Sequence, residues 1–430
     1  MNYNKIYFVT DDTLNKKNFV LISKLEKLFK NKISIISPKY SKKNPFKTPQ
    51  INIETSKNLA SYMLLWLKIS FLFSKIKKTS VDYEFPKRNI YSGNYFSRLI
   101  VNLFWKIKRQ NFLNNLLPNY DVLFFLPLLF YKKKIKNNNR LFIIDSLTFR
   151  YYKFSDFIKT LYNSDCEVIY NVNSWDNPFY SQFFSDKSNY IAWSENMIID
   201  IEKIHDFNIK KKYSVGPYPF FDFYKSRNVI KEIDFSSTIQ VGYACAFCDE
   251  YMMEKELCLI NRIGKELEKL DINILVRPYP SISVEKYNDF RDSKNIFLYE
   301  PTKINYTDRF GDGREKINFS SDEERHFYNQ KCDIFLSIGT SYTIEAAIDQ
   351  KPIFQFYMTE NERSKYYEKD VFERIDLSDH VKKYYLSNLQ LSNNYSELYQ
   401  NIKNLIATKS SSKFYLNNKL FLDSFGFNKY

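Results

Sequence analysis

Glycine is scarce in this chain, with 8 among 430 residues, and histidine is scarcer still, with 3. So little glycine excludes a collagen-like, low-complexity or flexible repeat protein. Hydrophobic residues make up 44% of the sequence, which is enough to build sizeable buried cores. A chain of 430 residues therefore suits two α/β domains of ordinary size.

Cysteine is also infrequent, and its five copies form an odd number. No leader with an apolar core precedes the strand-like segment 6–10, so we expect a reduced, cytoplasmic protein. Cys245 and Cys248 form one CxxC pair, whereas a zinc site needs a second ligand pair at similar spacing, and the sequence has none. The expectation is buried thiols and no bound metal.

Positive charge is concentrated in one part of the chain. The net charge is +15, and residues 57–140 hold 16 Lys and Arg against three acids. Such a segment can meet nucleic acid, an anionic membrane surface or a phosphorylated acceptor. No RRM, KH, zinc-finger or helix-turn-helix signature is present, so we expect no nucleic acid partner and retain the membrane surface as a hypothesis.

An apolar run lies inside this basic segment, at residues 59–73. Its 15 residues are fewer than the roughly 20 needed to span a bilayer. Two interpretations stay open: a helix buried in the protein, or a helix lying in the membrane interface with the neighbouring lysines at the headgroups.

Strands and helices alternate through both halves of the chain. Strands are predicted at 5–10, 33–37, 121–126, 141–145, 167–172, 189–193, 238–244, 272–278, 295–299, 333–339 and 352–358. This alternation predicts two doubly wound, Rossmann-like α/β domains that face a cleft and bind ligands at the carboxyl ends of their strands. The proline-containing segment 216–224 marks the junction. We therefore predict an acceptor-side domain at 1–225, a nucleotide-donor domain at 226–385, and a helical segment at 386–430 that can pack back on the first domain.

The most informative segment follows the strand that ends at Gly339. Thr340 and Ser341 stand where the next helix starts, where free N–H groups and the helix dipole favour a phosphate. Glu345 lies about one turn further on, where a carboxylate can accept hydrogen bonds from ribose hydroxyls. The alternative is an ordinary helix start with a Ser or Thr cap.

Two more residues are candidates for the donor site. Arg277 follows the strand at 272–276, where its guanidinium could neutralise a diphosphate or form a salt bridge. Gly242 is expected in a loop near the diphosphate, after the first strand of the second domain.

Transfer with inversion needs a general base to take the proton of the acceptor hydroxyl. Asp11 and Asp12, in the loop after the first strand, are the candidates, although one of them can cap the following helix. His326 is a weaker candidate. Four further candidates for the cleft end or follow strands of the first half, namely Asp145, Ser174, Asp176 and Asn177.

Four blocks in order, over residues 165–358, carry a family resemblance. They are NSWDN (173–177), WSE (193–195), VGPYPFFDFY (215–224) and LVRPYP (275–280). They resemble GT-B type bacterial surface-polysaccharide glycosyltransferases, a group similar to CDP-glycerol glycerophosphotransferases and UDP-GlcNAc 2-epimerases. Tyr279 stands where that group has a histidine.

A second motif of the same kind lies around the candidate donor site. Gly339, Glu345 and Lys351-Pro352 are similar in order to the donor motif of GT-B transferases such as the lipid II-forming N-acetylglucosaminyltransferase. The resemblance implies a GT-B fold, metal-independent chemistry and a role for Glu345 in holding the donor ribose.

The resulting hypothesis is a glycosyltransferase without a cofactor. It would move a sugar from a nucleotide-sugar donor to a surface polysaccharide or a lipid-linked acceptor, as in capsule or lipopolysaccharide O-antigen synthesis, at the inner face of the cytoplasmic membrane. One alternative is a CDP-glycerol-type polyol-phosphate transferase. The resemblance implies that such an enzyme uses histidines near the phosphate. The other is a non-catalytic GT-B scaffold, which would not need Glu345 and Arg277.

Overall fold

The computed structural model describes two long stretches and a set of shorter ones. The described residues are 3–10, 16–29, 32–38, 46–53, 116, 139–145, 157, 160–161, 164, 166–172, 174–176, 178, 188–205, 208–217, 233–247, 250–279, 282–290, 292–300, 305–308, 316–319, 322–376 and 379–429. Several predictions fall outside them: the apolar run 59–73, most of the basic segment 57–140, Asp11, Asp12 and Asn177.

Contacts between residues divide the chain into two units. Residues 1–220 with 429–430 form the first, and residues 221–428 form the second. The predicted boundary at residue 225 stays a prediction, because residues 218–232 lie outside the described part.

The first unit is built on a seven-stranded parallel sheet. Its strands are β1 (Lys5–Val9), β2 (Ile33–Pro38), β3 (Gln50–Ile53), β4 (Arg140–Asp145), β5 (Glu167–Asn171), β6 (Asn189–Ala192) and β7 (Lys212–Ser214), and its helices are α1 (Lys16–Phe29) and α2 (Glu195–His205). The order across the sheet is β3-β2-β1-β4-β5-β6-β7. Strand order therefore reverses between β1 and β4, which pair in parallel with Val9 opposite Ile144.

Apolar residues explain why these segments are central strands. Ile6 and Phe8 of β1 are buried with Ile33 and Ile35 of β2 and with the apolar side of α1. Near-continuous apolar runs are typical of parallel strands covered on both faces. The helix α2 begins at a polar cap, because the Ser194 hydroxyl accepts a 3.3 Å hydrogen bond from the Met197 amide.

The second unit repeats the same strand order on a six-stranded parallel sheet. Its strands are β8 (Gln240–Ala244), β9 (Asn273–Arg277), β10 (Ile296–Leu298), β13 (Ile334–Ser337), β14 (Ile353–Phe356) and β15 (Gln390–Ser392), arranged as β10-β9-β8-β13-β14-β15. The reversal here lies between β8 and β13. Strands β11 (Asn305–Asp308) and β12 (Lys316–Phe319) form a separate antiparallel pair.

Helices connect the strands of this second sheet. They are α3 (Glu250–Glu268), α4 (Asp322–Lys331), α5 (Tyr342–Ile348), α6 (Glu360–Arg363), α7 (Lys369–Asp376), α8 (Asp379–Val381), α9 (Tyr395–Thr408) and α10 (Ser412–Ser424). A 3₁₀ segment spans Val284–Phe290, a π-helical segment spans Lys382–Leu386, and a final 3₁₀ turn spans Phe427–Lys429. None of the helices in the described stretches is long and apolar enough to cross a membrane.

The C-terminal segment at residues 386–430 contains a strand as well as helices. It contributes β15 to the edge of the second sheet, beside β14. Its helices α9 and α10 pack on α3 and α5 of the second unit. This segment completes the core of the second unit, with Leu398, Ile402 and Phe421 fully buried. Its predicted packing on the first domain stays a prediction.

Candidate active site

The switch point of the second sheet is where its candidate residues meet. Ligands of open α/β sheets bind outside the carboxyl ends of the strands, where strand order reverses. Arg277 is the last residue of β9, and residues 338–341 connect the end of β13 to α5. The sequence prediction of Arg277 and Gly339 at strand ends agrees with this placement.

Gly339 has a conformation that favours glycine. Its φ is +98°, and a Cβ atom would lie 2.6 Å from Val381 Cγ1. Its N–H donates a 3.0 Å hydrogen bond to Ser337 Oγ, and Tyr385 Oη donates a 2.8 Å bond to the Thr340 carbonyl. The loop after β13 is thus held in place by α8 and the π-helical segment.

Replacing Gly339 with Ala is expected to lower the free energy of unfolding by about 1–4 kcal/mol, because backbone strain adds to a clash with Val381. Urea unfolding of the purified chain measures this. The double variant Gly339→Ala/Val381→Ala relieves the clash but not the strain, so it should lose less than the sum of the single changes. Wild-type stability of Gly339→Ala would show that the loop adjusts freely.

Two arginines and one carboxylate gather around the ring of Tyr342. The guanidinium carbon of Arg277 lies 4.8 Å from the ring centroid and that of Arg325 lies 5.2 Å from it. Arg325 also forms an ion pair with Glu345, whose side chain is only 7% exposed. Burial raises the pKa of Tyr342 well above its usual value, so the phenol stays neutral between the cations. The cluster concentrates positive charge beside one buried acid.

The N-terminus of α5 is a weaker site for a phosphate than the sequence suggested. This helix has seven residues, and Ser341 makes no side-chain capping hydrogen bond. A helix of two turns contributes little dipole, so the arginines must supply the attraction for an anion. The hydroxyl oxygen of Thr340 is buried and makes no hydrogen bond to the described residues. It is therefore available to a ligand at this edge.

Gly242 does not lie in a phosphate loop, and that prediction is wrong. It is the middle residue of β8, where a Cβ would lie 2.7 Å from Cys332 Sγ and 2.9 Å from the Phe335 ring. Its role is close packing of β8 against the β13 side of the core. The loop that does follow β8 begins at Cys245, whose burial raises its thiol pKa and makes it unreactive.

The amides of that loop are occupied by a buried acid, Glu256 of α3. Its carboxylate accepts hydrogen bonds from the Ala246 amide at 2.8 Å, the Phe247 amide at 3.3 Å and the Tyr243 hydroxyl at 3.0 Å. Burial is the largest influence and raises the pKa of Glu256 to about 7. These two amides are therefore bound within the protein, where the sequence placed a contact to the diphosphate.

Stability is expected to fall as pH rises from about 4.5 to about 7, because the folded protein keeps a proton on Glu256 that the unfolded chain has lost. The free energy of unfolding falls by roughly 3 kcal/mol over this range, because each pH unit between the two pKa values lowers it by about 1.4 kcal/mol. Urea unfolding across this range measures the slope, and Glu256→Gln should remove this component of it. Identical slopes in wild type and variant would contradict the assignment.

The switch point of the first sheet holds a buried polar cluster. Asp145, at the end of β4, is fully buried and accepts hydrogen bonds from Asn18 Nδ2 at 2.8 Å and Thr10 Oγ1 at 3.3 Å. Asn18 Nδ2 also donates to Thr10 Oγ1 at 2.8 Å. Because Asp145 has no exposed surface, it can position Thr10 without touching a ligand itself.

Ser174 and Asp176 lie beyond the end of β5, next to β4 in the same sheet, and both are half-buried. The Oδ1 atom of Asp176 is buried and makes no hydrogen bond within the described part of the chain. Trp175 between them is a core residue, 3% exposed. Among the described acids of this unit, Asp176 is thus the one that most resembles a ligand-binding group.

His326 is paired with a carboxylate. Its Nδ1 lies 3.1 Å from Asp349 Oδ1, at the far end of α5 from the Gly339 loop, and Asn329 Nδ2 donates to the same carboxylate at 2.8 Å. This arrangement links α4 to α5 and has a structural purpose.

Sequence reasoning missed Arg325, Tyr342 and Glu256 as parts of these sites. Tyr342 stood inside the Gly-Thr-Ser-Tyr segment and could have been noticed as a large aromatic at a helix start. Arg325 and Glu256 carried no signal, since each acts through a partner 10 or more residues away.

Two doubly wound α/β units in one chain, each with a reversal of strand order, define the GT-B fold class. No family model matches the chain, and no curated protein matches it. Similar solved structures include Anabaena HepE in complex with UDP-glucose, 9% identical with a TM-score of 0.43 over 99% of this chain and 98% of that one. The UDP-GlcNAc 2-epimerase of Methanocaldococcus jannaschii is 12% identical, with a TM-score of 0.44 over 97% and 98%.

A third similar structure, TarM, is 12% identical with a TM-score of 0.36 over 73% of this chain. The chain spans 56% of the length of TarM. At these identities the similarities concern the fold alone, and the reaction must be argued from the residues.

Proposed function

We propose that this protein is a glycosyltransferase that binds a nucleotide sugar at the switch point of its second unit. The observation that supports this is the cluster of Arg277, Arg325 and Glu345 around Tyr342, at the carboxyl ends of β9 and β13. Cations beside a carboxylate suit a ligand that combines an anionic diphosphate with neutral ribose hydroxyls.

Each residue has a distinct part in this proposal. Arg277, 8% exposed and fixed against an aromatic ring, would donate to the diphosphate and stabilise the charge that develops as the nucleotide leaves. The Thr340 hydroxyl would add a donor to the same phosphates. Glu345 would accept hydrogen bonds from the ribose hydroxyls, as the sequence resemblance implies, while Arg325 holds its carboxylate in position.

The acceptor would bind the first unit. Its switch point carries Thr10 and the buried Asp145, and the candidate bases Asp11 and Asp12 follow Thr10 directly in sequence. A surface polysaccharide or lipid-linked glycan is the acceptor class we propose, at the inner face of the cytoplasmic membrane.

A panel of UDP-, GDP-, CDP- and dTDP-sugars with CDP-glycerol tests the proposal. We expect nucleotide diphosphate release from one nucleotide sugar, increased by an oligosaccharide acceptor. Release of CMP with glycerol phosphate transfer would establish the polyol-phosphate alternative. Isomerised nucleotide sugar would establish an epimerase. Absence of both nucleotide binding and turnover would favour the scaffold.

Binding to anionic membranes through residues 57–140 is a further prediction. Each Lys near such a surface contributes about 1 kcal/mol, so reversing four charges should release the protein. Co-sedimentation with phosphatidylglycerol vesicles compares wild type with the variant in which Lys75, Lys77, Lys78 and Lys132 are changed to Glu. If the variant binds as wild type does, the basic segment is only a solvated face.

A further inference from the structure

A cavity of about 420 Å³ lies between the later turns of α3 and the first turns of α9. Its walls include Arg262, Glu266, Tyr366, Tyr395, Tyr399 and Gln400. It shares no residue with the cluster around Tyr342, and its volume falls in the range of small-molecule sites, about 300–1,000 Å³.

The wall of this cavity is built on a buried acid. Glu368 is completely buried and receives two hydrogen bonds on one oxygen, from Arg262 Nε at 2.8 Å and from Tyr395 Oη at 2.5 Å. The Arg262 guanidinium carbon lies 4.8 Å from the Tyr366 ring centroid and 5.8 Å from that of Tyr395. Hydrogen bond and rings together hold this guanidinium in one orientation.

The outer edge of Arg262 is left for a ligand. The side chain is 45% exposed, and its two terminal amino groups make no hydrogen bond to any residue that the structure describes. A guanidinium fixed through Nε offers those amino groups as preorganised donors.

Charge and surface chemistry identify the class of ligand. Arg262 and Lys269 of the lining bring two positive charges and Glu266 brings one negative charge, with Lys269 Nζ 2.5 Å from Glu266. The buried Glu368 lies behind the lining and is paired with Arg262. Because each of these cations is paired with an acid, the cavity has no general preference for an anion. It combines donors, acceptors and tyrosine rings, and a sugar presents hydroxyls that donate and accept along with apolar C–H faces that pack on rings.

We propose that this cavity is a second carbohydrate site, which binds a neutral saccharide unit of a glycan. It would hold a glycan chain on the second unit, apart from the donor site. The inference goes beyond the proposed transfer reaction and does not depend on it, because the two sites share no side chain.

Titration of the full chain with three trisaccharides tests this inference. Maltotriose and triacetylchitotriose are the neutral probes, and trigalacturonic acid is the acidic comparator. We expect at least one neutral probe to bind with a Kd of about 1 mM, measured by saturation-transfer NMR and calorimetry. Tyr399→Ala should weaken that binding at least tenfold. Tyr399 is half-buried and stands outside the Glu368 hydrogen bonds, so this change spares the fold.

Tyr415→Ala is the matched control, since Tyr415 is also half-buried in the second unit but does not line the cavity. It should bind the neutral probe as wild type does. UDP titration of Tyr399→Ala should match wild type, which separates this site from the donor site. Binding of the acidic probe alone, absence of binding by both neutral probes, or wild-type binding by Tyr399→Ala would each overturn the proposal.

Discussion

Replacing Glu345 with Ala is expected to weaken nucleotide binding by about tenfold to a hundredfold, because charged hydrogen bonds to ribose contribute roughly 1.5–3 kcal/mol. Glu345 lies one turn inside α5, and helical side chains lean back toward the N-terminal end, which here faces the Gly339 loop. Glu345→Gln should lose less, since one acceptor oxygen remains.

The ion pair with Arg325 changes what this substitution does to the fold. Helix propensity alone would leave stability hardly changed, because Ala is the better helix former. In the structure, Glu345 and Arg325 are 7% and 27% exposed, so removing the acid leaves a largely buried cation without its partner. We therefore expect Glu345→Ala to lower the free energy of unfolding by about 1–3 kcal/mol, a range that allows for partial solvent screening of Arg325.

A control variant that also loses stability, Glu397→Ala, separates an effect on binding from an effect on folding. Glu397 belongs to the cap of α9, where its carboxylate accepts a 2.7 Å hydrogen bond from the Asn393 amide. Glu397→Ala should cost about 1 kcal/mol and leave nucleotide affinity unchanged. Calorimetric titration of UDP and CDP into wild type and each variant measures the affinities. Unchanged affinity in Glu345→Ala would leave Glu345 a structural partner of Arg325 and remove the main support for the donor site.

Much of the fold could be predicted from hydrophobic patterning. The apolar runs at 5–10, 141–145 and 333–338 are central strands in the structure, and the alternation with helices made parallel sheets the expected arrangement. The position of each apolar run was enough to place Arg277 and Gly339 at strand ends. These features are local, so the sequence carries them directly.

The elements that were missed depend on distant partners. Strand β15 has three residues and becomes a strand only by pairing with β14. Strands β11 and β12 likewise form by pairing with each other. Gly242 was expected in the loop near the diphosphate that follows the first strand of the second domain, whereas its lack of a side chain serves the approach of Cys332 and Phe335. The bonds of Glu256 and Arg325 likewise join residues from separate elements, which no periodicity records.

Thr10, the residue after β1 in the first unit, is held in place on two sides. Thr10 is the last described residue before the loop that contains Asp11 and Asp12, and its amide donates a 3.0 Å hydrogen bond to the Ile36 carbonyl. Its hydroxyl is held by Asn18 and by the buried Asp145. The residue entering the loop is therefore fixed from both its main chain and its side chain.

Replacing the catalytic member of the pair Asp11 and Asp12 with Asn should lower kcat by roughly 10²–10⁴, the contribution of a general base. UDP affinity should stay near that of wild type, because the proposed donor residues belong to the second unit. Initial transfer rates with the active donor measure the change in each single variant.

Asp200→Asn is the control for that pair, since Asp200 is a buried acid of α2 in the same unit, 7% exposed, whose change should affect unfolding by about 1–3 kcal/mol and leave turnover near that of wild type. Full turnover in both Asp11→Asn and Asp12→Asn would exclude the loop after β1 as the source of the base. His326, which is paired with Asp349, and the acids of residues 145–176 would then be the next candidates, among them Asp176. Its buried Oδ1 has no hydrogen bond partner in the described part of the chain, and Asp176→Asn should in that case show the loss of kcat.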